Sequence, residues 1–222
     1  MTHTPNVPKR NWAAVVLAAA GAYVVVTTAL NGANRSSPDF PTTFYGLESG
    51  LLFVSFALVP VAILVAFVAF GLGAAGLAPL GGNSARSRLL FLGTGVFALA
   101  AQYSYLGGFF NYLMGGGSEL PERVTTFALT AVAVALAVAT SVVVFRAGVV
   151  RGAARWALPA ATLLTVVSAV VSNLFALSPN EFVSNWGDIP HGLGIAIVGI
   201  AYWRVGLVAR RPVPEAVESL AE

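Results

Sequence analysis

The sequence predicts an all-α, polytopic integral membrane bundle of six transmembrane helices with both termini in the cytoplasm. Three observations predict it. Charge is scarce: 9% of the residues are Asp, Glu, Lys or Arg and 57% are hydrophobic, whereas a soluble domain carries about 25% charged residues. Charge is also clustered. Residues 12–34, 49–85, 89–118, 124–145 and 156–180 contain no Asp, Glu, Lys, Arg or His, and from 189 to 203 the sole such residue is His191. A membrane helix needs roughly 20 consecutive apolar residues. Each window supplies one, and the last reaches that length when Arg204 snorkels to the interface. Finally, charge is partitioned. With six alternating spans, Lys9, Arg10, Arg86, Arg88, Arg146, Arg151, Arg155, Arg204, Arg210 and Arg211 fall on one side, and Arg35 and Arg123 on the other. Lys and Arg prefer short cytoplasmic loops, and a different helix count scrambles this division.

The expected helices are about 12–31, 48–78, 88–113, 123–146, 156–178 and 188–209. They form a single membrane domain over 1–222 with short cytoplasmic tails at 1–11 and 210–222. Trp12, Trp156 and Trp203 mark the inner interface and Trp186 the outer one, as interfacial aromatics do. The first helix has a basic start and an Ala-rich end. Its apolar run exceeds the roughly 7–15 residues of a signal-peptide core, so it reads as a retained span. The second apolar run is longer than a bilayer requires and must tilt, kink or protrude. Pro60 lies inside it and removes a backbone donor, which predicts a kink near Phe56–Pro60.

The third helix carries a bulky polar stripe of Gln102, Tyr105, Phe109 and Tyr112. The fourth alternates Ala and Val from Ala131 to Ala139. Period two suggests a strand, but a lone strand leaves its backbone unsatisfied in a membrane. As a helix it lines up Ala131, Ala135 and Ala139 in a ridge suited to close packing. The fifth has the clearest polar face, with Thr165, Ser168, Ala169, Ser172, Asn173 and Ala176 at helical spacing. If the stripes of the third and fifth helices face each other, they form a pocket open to the outer side. Plain interhelical hydrogen bonding accounts for each stripe equally well.

The sixth helix opens on Asn185-Trp186-Gly187-Asp188-Ile189-Pro190-His191-Gly192, which places a carboxylate three residues before the only histidine outside the N-terminal tail. The candidate ligand-binding residues are Gln102, Tyr105, Asn111, Asn173, Asp188 and His191. A carboxylate and an imidazole at the interface are equipped for proton transfer, so the alternative is a membrane enzyme acting on a lipid or isoprenoid, with His191 and either Asp188 or Glu48 as acid and base. A plainer reading competes with both. Asp188 suits the N-cap of the sixth helix with Pro190 in its first turn, a carboxylate is favoured at that end of the helix dipole, and His191 then bonds to Asp188 or a loop carbonyl.

Several classes are excluded. The chain has no cysteine, hence no disulfide, thiolate chemistry or Cys-ligated metal. One interior histidine and few acids give no metal site and no bis-His haem, and no lysine lies in an apolar window for a Schiff base, so no cofactor is expected. The membrane interior lacks the ionisable groups of proton relays and ion-coupled transporters. The pI near 9.6 reflects topology signals rather than nucleic acid. The leading expectation is a non-enzymatic membrane protein, either a subunit of a larger or self-associated membrane assembly or a carrier of a hydrophobic small molecule or lipid. Its Ala/Val/Gly/Arg-rich, Lys-poor composition points to the cytoplasmic membrane of a prokaryote.

Overall fold

The computed structural model describes residues 11–36, 44–73, 79–113, 120–176 and 187–208. Among them are six α-helices and no strand: α1 Trp12–Ser36, α2 Phe44–Leu72, α3 Ala85–Leu113, α4 Leu120–Ala147, α5 Ala157–Ala176 and α6 Ile189–Val208, with a 3₁₀ turn at Gly152–Trp156 before α5. Three helices are long and apolar enough to cross a membrane, over Trp12–Leu30, Val124–Ala147 and Gly152–Val171, and shorter apolar helical stretches run over Ala57–Leu72 and Ile189–Val205.

Each helix packs on its neighbour in sequence, and α1 packs on α6, which closes a ring. Neighbours run antiparallel. Thr94 meets Thr140 and Ser104 meets Thr126 between α3 and α4, while Tyr103 near the far end of α3 reaches the Ala57 carbonyl early in α2. The alternation brings Arg86, Arg88, Arg146, Arg151, Arg155 and Arg204 to one end, all exposed. That basic end also displays exposed Trp12, Trp156 and Trp203.

Local signals set the helix ends. Asn11 caps α1, its Oδ1 accepting the Ala14 amide at 3.3 Å. Ser84 caps α3, its Oγ accepting the Ser87 amide at 3.1 Å. Gly73 (φ 71°) follows α2 and Gly148 (φ 64°) follows α4, a left-handed conformation that glycine alone adopts without steric cost. α2 therefore stops before the expected 78, and the Leu80 amide returns to the Phe70 carbonyl at 3.1 Å. α2 continues as one helix through the buried Pro60.

The core gathers Leu17, Phe70, Leu80, Phe91, Val144 and Tyr202, all at most 2% exposed. Tyr202 stands edge-on to Phe70, centroids 5.3 Å apart, and Phe67 packs on Phe91. On the fourth helix Ala131 and Ala135 are exposed and Ala139 is half-buried, so the ridge expected there does not pack within the described bundle. The close small-residue seam joins α1 and α6 instead. A Cβ on Gly21 would strike the Ala196 backbone and come within 2.6 Å of the Gly192 carbonyl oxygen, and one on Gly199 would come within 2.7 Å of the Ala14 carbonyl oxygen. Asn11 pins the same seam, its Nδ2 donating to the Tyr202 carbonyl at 3.0 Å from a site 2% exposed.

Two outcomes follow for thermal unfolding in detergent. Gly199→Ala forces a methyl into backbone and destabilises by about 1–3 kcal/mol. Gly93→Ala meets only the movable Leu136 Cδ1 at 3.3 Å and costs well under ~1 kcal/mol. Equal losses at the two sites would show that the seam is not the tight contact. Asn11→Ser keeps a capping oxygen and loses the bond to Tyr202, whereas Asn11→Ala loses both. The serine variant is expected to recover about 1 kcal/mol of the alanine variant's loss.

Candidate functional site

Ring order decides which polar groups meet. α5 lies between α4 and α6, so its hydroxyl stripe turns onto the start of α6. Gly194 makes room for this contact: a Cβ there would come within 2.9 Å of the Ala161 Cα. Above it, Thr165 Oγ1 and His191 Nδ1 are 3.0 Å apart. One turn further, Ser168 Oγ donates to the Gly187 carbonyl at 2.6 Å and lies 3.5 Å from Asp188 Oδ1.

Counting protons constrains both pairs. A hydroxyl carries one proton. Thr165 Oγ1 lies 3.0 Å from the Ala161 carbonyl and 3.0 Å from His191 Nδ1, so its one proton serves one of the two. With that proton on Ala161, Nδ1 bears the imidazole hydrogen and Nε2, which has no hydrogen-bond partner among the described residues, is an acceptor. Ser168 gives its proton to Gly187, which leaves 3.5 Å to Asp188 at the limit of a hydrogen bond. The Asp188 side chain is exposed. Its backbone carbonyl accepts the Gly192 amide at 3.0 Å, which makes Asp188 the residue at which α6 begins.

This places Asp188 and His191 together, each referred to a hydroxyl of α5. Among the described residues His191 hydrogen-bonds to Thr165. Thr165 and Ser168 are the partners that the sequence reading located on the right stripe but aimed at the third helix. Gln102 is half-buried on α3, whose contacts run to α2 and α4; among the described residues α3 has no extended contact with α5 or α6. The side chains of Glu48, Tyr105, Asn111 and Asn173 lie outside the described residues. Asn11, which ties the start of α1 to α6, went unnoticed in the sequence, although an Asn directly before an apolar run is a helix-start signal.

Among the described residues no group of three or more His, Asp or Glu side chains converges. No protein-family profile, curated protein or solved structure matches the chain.

The chain has two histidines, His3 and His191, so ¹⁵N imidazole spectra are assignable with a single His3→Gln control. His191 is expected to show the Nδ1-protonated tautomer. Thr165→Val, which keeps the side-chain shape and removes the acceptor, is expected to shift the ring towards the other tautomer. An unchanged spectrum would remove Thr165 as the orienting group.

Proposed function

We propose that the chain is an integral protein of a prokaryotic cytoplasmic membrane, crossing it six times with both termini in the cytoplasm. On this reading it works without catalysis, holding a lipid or other hydrophobic small molecule at the end opposite the arginines, alone or as a subunit of a larger membrane assembly. The surface supports the membrane assignment. Every helix exposes large apolar side chains, among them Val26, Leu58, Leu89, Phe127, Leu163 and Ile200. A surface of that kind is rare in water and ordinary in lipid. The arginine-rich end supports the cytoplasmic placement.

The observation that carries the binding reading is the Thr165–His191 contact. The imidazole hydrogen-bonds an α5 hydroxyl, which favours an orienting and binding role for the ring over proton transfer with the neighbouring carboxylate. Two acceptors remain at the rim, His191 Nε2 and the Asp188 carboxylate. They suit a molecule with an apolar body and a hydroxyl, an N–H group or a cationic head.

The cysteine-free background makes topology directly testable. Asn83→Cys is expected to react with an impermeant maleimide only after permeabilisation, and Ser118→Cys in intact cells; labelling of both from one side removes the six-span reading. Protein purified in mild detergent is expected to retain a hydrophobic molecule detectable by mass spectrometry. His191→Ala is expected to retain about tenfold less, the equivalent of one hydrogen bond worth ~1.4 kcal/mol. Turnover of that molecule by the wild-type protein would overturn the non-enzymatic reading.

A further inference from the structure

The flank between α4 and α5 is the least closely packed joint of the ring. It holds a groove of about 380 Å³, lined by Val134, Val138 and Phe145 of α4 and by Pro159, Leu163 and Val166 of α5. Two hydroxyls in its wall have their protons committed to their own helices: Ser141 donates to the Ala137 carbonyl at 2.8 Å and Thr162 to the Leu158 carbonyl at 2.9 Å. The groove therefore offers an apolar wall.

Its basic end is built differently. The Phe145 and Trp156 rings meet edge-on with centroids 4.9 Å apart. The Arg155 guanidinium carbon lies 5.6 Å from the Phe145 centroid and 5.7 Å from that of Trp156, in the range of cation–π attraction. Arg146 follows Phe145 in α4, Arg151 precedes the 3₁₀ turn, and all three arginines are exposed. None of the described residues at this end is acidic.

We propose that this groove binds one acyl chain of an anionic phospholipid from the leaflet at the basic end, with the lipid phosphate held by Arg155 together with Arg146 and Arg151. The proposal rests on the reading of the chain as a membrane protein and adds a site distinct from the acceptor pair on α6. Length fits: from Val134 to Phe145 the helix rises roughly 17 Å, and half of a ~30 Å hydrocarbon core is about 15 Å. Charge fits as well, because basic clusters at the cytoplasmic ends of transmembrane helices bind anionic headgroups, and guanidinium groups match phosphate geometry. A second copy of the chain fits worse. A two-fold contact through this groove is self-complementary and brings two like sets of three arginines together.

The test uses the full chain in phosphatidylcholine nanodiscs doped with a fluorescent phosphatidylglycerol, or with a fluorescent phosphatidylcholine of the same chain length. Wild-type protein is expected to bind the phosphatidylglycerol probe about tenfold more tightly. The double variant Arg151→Gln with Arg155→Gln is expected to lose that preference with helicity and unfolding temperature unchanged, and Arg155→Lys to keep most of it. Leu163→Trp, which fills the groove, is expected to release the probe. Equal binding of both probes, a preference that survives the double glutamine variant, or undisturbed binding in Leu163→Trp would each overturn the proposal. So would a Val138→Cys variant that crosslinks two copies across the groove. Nanodiscs expose both faces, so a failed lipid result beside correct cysteine labelling rejects the groove alone, while failed labelling beside a positive lipid result rejects the orientation alone.

Discussion

The backbone contact between the first and last helices is the constraint on which the other placements depend. Lipid tails are as apolar as leucine, so helices in a membrane gain little from excluding lipid and associate through close packing and a few hydrogen bonds. α1 and α6 meet through Ala14, Ala18 and Gly21 on one side and Gly192, Ala196 and Gly199 on the other, at distances that leave no room for a further methyl. Asn11 adds the polar tie, joining the cap of α1 to the Tyr202 carbonyl. The seam fixes the height of α6. Gly192 lies against Val24 and Val25 while Gly194 lies against Ala161, so α6 is held between α1 and α5. That wedge brings His191 level with Thr165 and Gly187 level with Ser168.

Much of this architecture was legible in the charge-free windows, because an apolar run of helical length has few other ways to satisfy its backbone. The hydroxyl stripe on α5 was equally legible, since helical periodicity fixes which residues share a face. What that face meets is not a local property. A pocket between Thr165 and Ser168 and the Gln102–Tyr105 stripe requires the third and fifth helices to face each other, and the ring order gives Thr165 and Ser168 α6. The small-residue ridge shows the same limit. Ala131, Ala135 and Ala139 advertise a packing surface as clearly as Ala14, Ala18 and Gly21 do, yet Ala131 and Ala135 are exposed while Ala14 and Gly21 are buried and Ala18 is half-buried, all three close to the α6 backbone. Spacing identifies a surface that permits close approach, and the approach itself depends on which helix arrives.

The Asp188–His191 pair illustrates a further point about short motifs. Three residues of separation at a helix start bring a carboxylate and an imidazole near each other, which invites a catalytic reading. Each side chain instead answers to the element opposite. Thr165 lies 3.0 Å from both the Ala161 carbonyl and the His191 ring, so its hydroxyl ties the ring to α5. Ser168 has one proton and gives it to Gly187 at 2.6 Å, with Asp188 at 3.5 Å.

The two ends of the bundle thus present opposite chemistry through the same device. At one end, the Thr165 and Ser168 hydroxyls bond within α5 and across to α6, and among the described residues the Asp188 carboxylate stays exposed. At the other, the wall hydroxyls Ser141 and Thr162 are silenced by their own helices, and the arginines remain as donors, with Arg155 resting on Phe145 and Trp156. In each case intrahelical bonding of Ser or Thr removes polar character from a wall and concentrates it at a rim. Among the described residues, the α6 rim carries the Asp188 carboxylate and the α4–α5 groove carries Arg146, Arg151 and Arg155. Under the two proposals, an anionic phospholipid suits the arginines of the α4–α5 groove better than the exposed Asp188 at the α6 rim.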